Sequence, residues 1–475
     1  MLKRTVTATA AALLLSACSS PAPYGAIPTP AQVRWQQMEM NMFCHFGPNT
    51  FTGAEWGTGN EPEDIFNPES LDCSQWARTA KAAGMKGIII TGKHHDGFCL
   101  WPNPVSSHTV ASSPWKDGKG DVLEELSSAC REEGLGFGIY ISPWDRNDPR
   151  YGTPGYNEAF RQTLESALGS YGPVFEQWLD GACGEGPSGK RQVYDWELFN
   201  SEISRLQPDA VIFSDVGPGC RWVGNERGEA GRTSWSRLST EGFSPGAGAP
   251  PTDTLTTGNI HGERWIAPEA DVSIRPGWFY RESEDSSVKS LSELLGIYYS
   301  SVGRNAVLLL NVPPDKKGLI NRTDSLRLME FRSALDGIFA EDIAFGAKAR
   351  TKATRPGFPA RNLTDGKYDT FWAAPEGRDT VTIELRSQGK RTFNRLMLQE
   401  YIPLGQRVAS FEAEAFENGR WCPLSSETTI GYKRIVLTRK VDSDRIRVRI
   451  TKSLAPPVLS GIGVYMDNYY SPPGQ

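Results

Sequence analysis

From residue 33 to about 340 the chain alternates short apolar runs with longer stretches whose apolar residues recur at helical spacing. The runs at 42–47, 87–94, 135–142, 174–180, 210–215, 265–274 and 306–311 read as strands; 74–83, 120–133, 156–171 and 195–206 read as amphipathic helices. Strand–helix alternation on this scale predicts a parallel sheet, and its length suits a (β/α)8 barrel. An eighth strand is not visible, and 241–260, rich in Gly, Pro and Thr, reads as a long loop in its place. The runs end on polar or aromatic residues: His45, His94 and His95, Tyr140, Asp180, Asp215, Glu269 and Asn311. A closed barrel brings all such ends to one mouth, whereas a doubly wound sheet gathers only those at a switch point. Neither a GxGxxG nor a P-loop pattern follows the first strand, so a nucleotide site has no support.

Beyond residue 341 the pattern changes to short alternating segments, 380–385, 395–399, 411–416, 434–437 and 444–451, separated by turn residues. That spacing predicts a C-terminal antiparallel β-sandwich over 346–475, after a catalytic barrel over 33–345. Asn362-Leu363-Thr364-Asp365-Gly366, followed by Tyr368-Asp369-Thr370-Phe371-Trp372, resembles a discoidin-like carbohydrate-binding module.

At the N-terminus, Lys3 and Arg4 precede an apolar stretch, 8–15, and then Leu15-Ser16-Ala17-Cys18. A charged start, a short apolar core and small residues describe a secretory signal, too short to span a bilayer. Cys18 after Leu-Ser-Ala resembles the bacterial lipobox, in which that cysteine is lipidated and becomes the mature N-terminus. The expectation is a lipoprotein signal over 1–18, a tether over 19–32, and a protein anchored in a bacterial envelope, periplasmic or surface-exposed. Membrane contact would run through that anchor alone. A net charge of −5 offers no electrostatic footprint for nucleic acid. The 14 Trp, 15 Tyr and 20 Phe supply flat apolar faces that suit sugar rings as well as a core. None of the eight cysteines forms a CxxC pair, which argues against a zinc ribbon or redox motif. The seven after Cys18 are expected to be buried free thiols.

Asp180 ends Glu176-Gln177-Trp178-Leu179-Asp180-Gly181, where Gly181 permits a sharp exit from the strand. A carboxylate at a barrel mouth can attack an anomeric carbon, or it can cap the next helix. A retaining glycosidase needs a second carboxyl group about 5 Å away, protonated until it donates to the leaving oxygen. Glu185, Glu226, Glu229, Glu269 and Asp271 are candidates, and chemistry alone leaves Glu226 and Glu269 unseparated. Trp222 could shield Glu226 from water, while Arg227 would oppose that effect if it turned inward. His94 and His95, adjacent on a strand, should point to opposite faces and so bind no shared ion; contacts to sugar hydroxyls suit them better. Neither a metal nor an organic cofactor is expected.

Together the motifs His45-Phe46-Gly47, Glu55-Trp56-Gly57, Lys93-His94-His95-Asp96-Gly97-Phe98, Tyr140-Ile141-Ser142-Pro143-Trp144 and Gln177-Trp178-Leu179-Asp180-Gly181 resemble glycoside hydrolase family 29, the α-L-fucosidases. The likeness runs from about residue 35 to 345. It implies a retaining exo-fucosidase with Asp180 as nucleophile and with His45, Glu55, Trp56, His94, His95, Tyr140 and Trp178 around the sugar. Arg221-Trp222-Val223-Gly224-Asn225-Glu226 resembles the acid/base loop of the branch acting on α-1,3/1,4-linked fucose, which favours Glu226 over Glu269. The segment from Pro268 through Arg275 to Trp278 and Tyr280 resembles that branch too and adds Arg275 and Trp278 to the expected substrate contacts. Lewis-type, milk or mucin glycans are the implied substrates. The alternative from another class is a catalytically weak carbohydrate-binding protein on the same barrel.

Overall fold

A computed structural model describes residues 20–472; the signal segment and Cys18 lie outside the described residues. Eight parallel strands close into a barrel: β1 (Met40–Cys44), β2 (Gly87–Lys93), β3 (Gly136–Ile141), β4 (Glu176–Trp178), β5 (Val211–Ser214), β6 (Cys220–Trp222), β7 (Ala267–Ser273) and β8 (Val307–Asn311). Pairing of β1 with β8, in register Met40↔Leu308 to Phe43↔Asn311, completes the ring. Side chains alternate as a pleat requires. Phe43, Ile89, Tyr140, Trp178, Phe213 and Leu309 fill the interior, while Met42, Ile88, Ile90 and Ile139 pack outward against the helices.

The strand missing from the sequence reading is β6. Only residues 215–219 join it to β5, whereas a parallel crossover usually takes a dozen or more residues and a helix, so no strand–helix period marks it. Residues 241–260 hold no barrel strand; they include a short helix, Thr252–Thr257, on the excursion from β6 to β7. Glu269 is also displaced from its expected place: it sits mid-strand in β7, opposite Trp222 and Val307, and not at a strand end.

The helices follow local signals. In the helix Val122–Glu133 the Asp121 side chain accepts from the Glu124 N–H, and Gly134 ends the helix in the left-handed region at φ 72°. Val122, Leu123, Leu126, Ala129 and Cys130 form its buried face, at the spacing one helix face requires. Ahead of the barrel, α1 (Pro30–Met38) begins with a Thr29/Gln32 capping box and carries Trp35 into the base of the ring.

From residue 20 on, the segment expected to be a tether is docked instead. The Tyr24 N–H donates to the Leu404 carbonyl at 3.1 Å, and Arg407 donates to the Ala22 carbonyl at 2.6 Å. Both contacts to the C-terminal domain use backbone groups of this segment, which a polar, proline-rich composition does not announce.

That domain is a 7-stranded antiparallel sheet folded into a sandwich around Trp372, Phe393, Leu396, Phe411 and Val448. Two long strands, β9 (Val381–Glu400) and β10 (Arg434–Ser453), run through both layers, where the sequence suggested two strands each. Their polar middles read as turns but bend without ending the strand, through register shifts near 386–391. The sandwich binds the barrel through polar contacts such as Ser236 N–H to Gln406 Oε1 and Tyr299 O–H to Asp467 Oδ2, at 2.8 and 2.7 Å. All seven described cysteines are free thiols; Cys183 and Cys422 are half-buried and the other five are buried.

Candidate active site

Asp180 lies just past β4 at the barrel mouth. Its Oδ2 accepts from the Tyr140 hydroxyl at 3.0 Å, and its Oδ1 accepts from the Ala182 N–H at 2.7 Å. His95 Nε2 stands 3.7 Å from Oδ2. The carboxylate is thus aimed by a strand neighbour and its own loop, and remains 27% exposed. Gly181 is required by space: a Cβ there would come within 2.0 Å of Asp215 Oδ2. Burial, and then the charge of Asp180, pushes the Asp215 carboxyl up to about 6.

Three histidines face this mouth. The expectation that His94 and His95 diverge fails, because β2 ends at Lys93 and the chain turns there; their rings lie 4.2 Å apart. His95 Nδ1 meets Ser142 Oγ at 2.7 Å, and that hydroxyl donates onward to the Trp144 carbonyl. His45 Nδ1 meets Asn311 Oδ1 at 2.9 Å, while the Asn311 amide N–H groups donate to Ser273 Oγ and the Trp278 carbonyl. Both patterns assign the ring proton to Nδ1 and leave Nε2 as an acceptor. Burial lowers His45 to about 3 and His95 to about 4, and drives His94 well down too, so all three are neutral near neutral pH.

Aromatic faces complete the pocket. Trp178 stacks on Phe213 at 3.8 Å and packs against Tyr140 at 5.2 Å. Trp278 lies 5.0 Å from the His45 ring, and Trp56, 57% exposed, meets His95 and Trp144 edge-on. Phe279 closes on His45 and His94 edge-first. Asn311, Ser142 and Phe279 were legible only as motif members or strand ends, since no local pattern says which hydroxyl or amide will orient a ring.

The carboxyl candidates now separate by surroundings. Glu226 stands on the rim, where the Trp278 indole N–H approaches its Oε2 at 3.4 Å. Burial raises its proton affinity, and the charges of Asp180 and Glu55 add to that against the indole's contrary pull. Trp222, expected to shield Glu226, donates instead to Asp271 Oδ1 at 3.0 Å. Arg227 turns away to pair with Glu229 at 3.2 Å, so it does not oppose protonation of Glu226. Asp271 is buried below Glu226 and held well up by burial and by Glu226's charge, too enclosed to meet a leaving group at the rim. Glu269 is fully buried inside the barrel, where its Oε2 accepts from the Trp178 indole at 2.9 Å. Glu185 is exposed, and its backbone carbonyl accepts from the Trp144 indole.

Two expected substrate contacts have other work. Arg275 is buried and pairs with Asp285 at 2.8 Å and Asp324 at 2.9 Å, so it braces the loop that follows β7 and neither reaches the pocket nor pairs with Glu269. Glu55 accepts from the Trp278 backbone N–H at 2.7 Å and pairs with Arg281, fixing the loop that presents Trp278. Among the described residues, Glu176, Cys220 and Glu269 form the one group of three or more potential ligands close enough to share an ion. They lie inside the barrel, away from the mouth.

The family model described as alpha-L-fucosidase matches residues 24–335, and one described as F5/8 type C domain matches 347–460. The chain belongs to the α-L-fucosidases of glycoside hydrolase family 29. It is 42% identical over 457 residues to alpha-L-fucosidase 1 of Arabidopsis thaliana, covering 94% of this chain and 89% of that one. Among solved structures it resembles SpGH29, with TM-score 0.90, 39% identity, and coverage of 94% of this chain and 100% of that one. A Ruminococcus gnavus GH29 fucosidase in complex with fucose matches with TM-score 0.88 and 32% identity, covering 95% and 97% of the two chains. This fucosidase is therefore a glycoside hydrolase built as a closed barrel followed by a β-sandwich.

The packing of Gly181 against Asp215 yields a direct expectation. Gly181→Ala should displace the Asp180 loop and lower kcat by about 10²-fold, the usual cost of an ångström-scale misplacement. The fold should survive, as judged by thermal unfolding, because the clash lies in a mouth loop. Unchanged turnover in the Ala variant would show that Asp180 does not depend on this contact.

Proposed function

We propose that the fucosidase removes terminal α-1,3/1,4-linked L-fucose from Lewis-type, milk or mucin glycans by double displacement with retention. The observation that carries this reading is the division of labour between two carboxyl groups at one mouth. Asp180 is oriented by Tyr140 and the Ala182 N–H, and Glu226 on the rim is held toward its protonated form partly by Asp180's own charge. Asp180 attacks the anomeric carbon while Glu226 gives its proton to the glycosidic oxygen, breaking the bond to the leaving sugar. Glu226, now a carboxylate, takes a proton from water. The resulting hydroxide attacks the same carbon and displaces Asp180, releasing fucose. His45 and His95 offer Nε2 acceptors to sugar hydroxyls, and Trp56, Trp178 and Trp278 offer apolar faces to the ring. The linkage preference rests on the likeness of the Arg221–Glu226 loop to the branch acting on those bonds.

The acid role can be read from leaving-group dependence. Glu226→Ala should lose hydrolysis of a Lewis trisaccharide by at least about 10²-fold and cleavage of a dinitrophenyl fucoside far less, since a good leaving group needs no proton. Because activity requires Glu226 protonated, its raised proton affinity moves the alkaline limb of the natural-substrate pH profile upward, and the variant should flatten that limb. Equal losses on both substrates would remove Glu226 from the acid role. A wild-type protein that binds fucosylated glycans but cleaves neither substrate would favour the binding-protein alternative.

The lipobox supports a second proposal, that Cys18 is lipidated and holds the enzyme at a bacterial envelope. Each buried CH₂ of an acyl chain contributes about 0.8 kcal/mol, so a diacylglyceryl cysteine anchors a soluble domain. Cys18→Ser should move the protein from the membrane fraction to the soluble one with hydrolysis intact. Wild-type protein that fractionates as soluble would contradict the anchor.

A further inference from the structure

Beneath the pocket the barrel interior is lined by Ile89, Val211, Phe213, Ala267, Val307 and Leu309, yet two carboxyl groups meet there. Glu176 of β4 and Glu269 of β7 are both fully buried, and they and the Cys220 thiol bring one atom each within 4.8 Å of one another. The Trp35 indole donates to Glu176 Oε2 at 2.7 Å, the Cys220 thiol approaches Glu176 Oε1 at 3.6 Å, and the Trp178 indole donates to Glu269 Oε2 at 2.9 Å. Glu269 Oε1 alone has no donor from any other side chain or backbone group. The charged neighbours offer no neutralisation. Asp271, two residues along β7, is a further acid that brings no positive charge, and Arg221 beside Cys220 turns its guanidinium to the carbonyls of Leu255, Ile266 and Trp235.

Two carboxylates in contact in an apolar interior, with no cation, cannot both stay ionised. A proton on Glu269 Oε1 resolves the conflict, turning the atom without a donor into a donor toward Glu176. A bound cation is the other way to neutralise the cluster, but two of its oxygens already accept indole N–H groups that crowd such a position with positive hydrogen. We propose that Glu269 and Glu176 share a proton and act as a positioning pair for Trp178, the ring on which Tyr140 and hence Asp180 are set. The contact sequence runs from the pair to Trp178, from Trp178 to Tyr140 at 5.2 Å, and from the Tyr140 hydroxyl to Asp180. The catalytic part of this inference rests on Asp180 as nucleophile; the shared proton does not. Burial and the partner carboxyl both raise Glu269, in agreement with a retained proton.

The sign of the pH effect follows. In the unfolded chain both glutamates ionise near the ordinary value of about 4.3. Above that pH the folded state binds more protons than the unfolded state, so the folding constant falls as pH rises until the pair itself titrates. Glu269→Gln keeps an acceptor for Trp178 and a permanent donor for Glu176, and it removes one such proton. The ratio of folding constants, Gln variant over wild type, should therefore rise by up to about tenfold per pH unit above pH 5. Urea unfolding of both proteins between pH 4.5 and 8 measures it. At pH 5–6, Glu269→Gln should keep kcat on a dinitrophenyl fucoside within about threefold of wild type. Glu269→Leu, which strips Trp178 of its acceptor, should lose more than tenfold in kcat with KM little changed. Parallel stability curves for wild type and Glu269→Gln would overturn the shared proton, as would a stoichiometric metal ion in the purified enzyme that the Gln variant lacks. Equal kcat values for all three proteins would overturn the positioning role. If the wild type cleaves no fucoside, the proposed function fails while the stability curves still decide the pair.

Discussion

Closure of the sheet between β1 and β8 is the constraint on which the site depends. Without the pairing that runs from Met40↔Leu308 to Phe43↔Asn311, His45 and Asn311 would sit on opposite edges of an open sheet. With it, Asn311 can orient His45 and hold the Trp278 carbonyl. The same closure brings β4 and β7 to face each other across the interior, so that Trp178 and Glu269 meet. A barrel interior has little room to rearrange, and a closely packed wall transmits small displacements. Residues well below the mouth therefore bear on the geometry within it.

Electrostatics divides the mouth into groups of distinct character. Burial keeps His45, His94 and His95 neutral, so they offer hydrogen-bonding capacity without adding positive charge beside Asp180. Asp215 and Asp271 are held toward their protonated forms by burial and by neighbouring carboxylates. Several acids crowded at one opening then need not carry a full charge each. On this account a proton remains on Glu226 at the rim, while Asp180 has the hydroxyl and N–H donors that aim an attacking carboxylate.

Much of this was legible in the sequence, for identifiable reasons. Seven barrel strands stood out because β-branched and aliphatic runs alternate with helical periods, and Asp180 stood out because glycine follows a strand's polar end. β6 was invisible because its link to β5 contains no helix. The divergent geometry assigned to His94 and His95 assumed a strand that in fact stops at Lys93. Glu269 looked like a mouth residue because the apolar run 265–274 does not reveal how far along the strand it lies. Arg275 was expected at the substrate because its segment resembles the family branch, and its pairing with Asp285 and Asp324 shows only in the fold. Docking of residues 20–24 rests on their backbone N–H and carbonyl groups, which side-chain pattern does not encode.

The central claim is that Asp180 is the carboxylate that attacks the anomeric carbon, and chemical rescue tests it most directly. Asp180→Gly should cut turnover of a dinitrophenyl fucoside by several orders of magnitude. Added azide should restore turnover, because a small anion can occupy the vacated position and attack from the same face. The account predicts β-L-fucosyl azide as the product, identified by its proton NMR couplings. A folded Asp180→Gly protein with near-normal turnover in the absence of azide would contradict it.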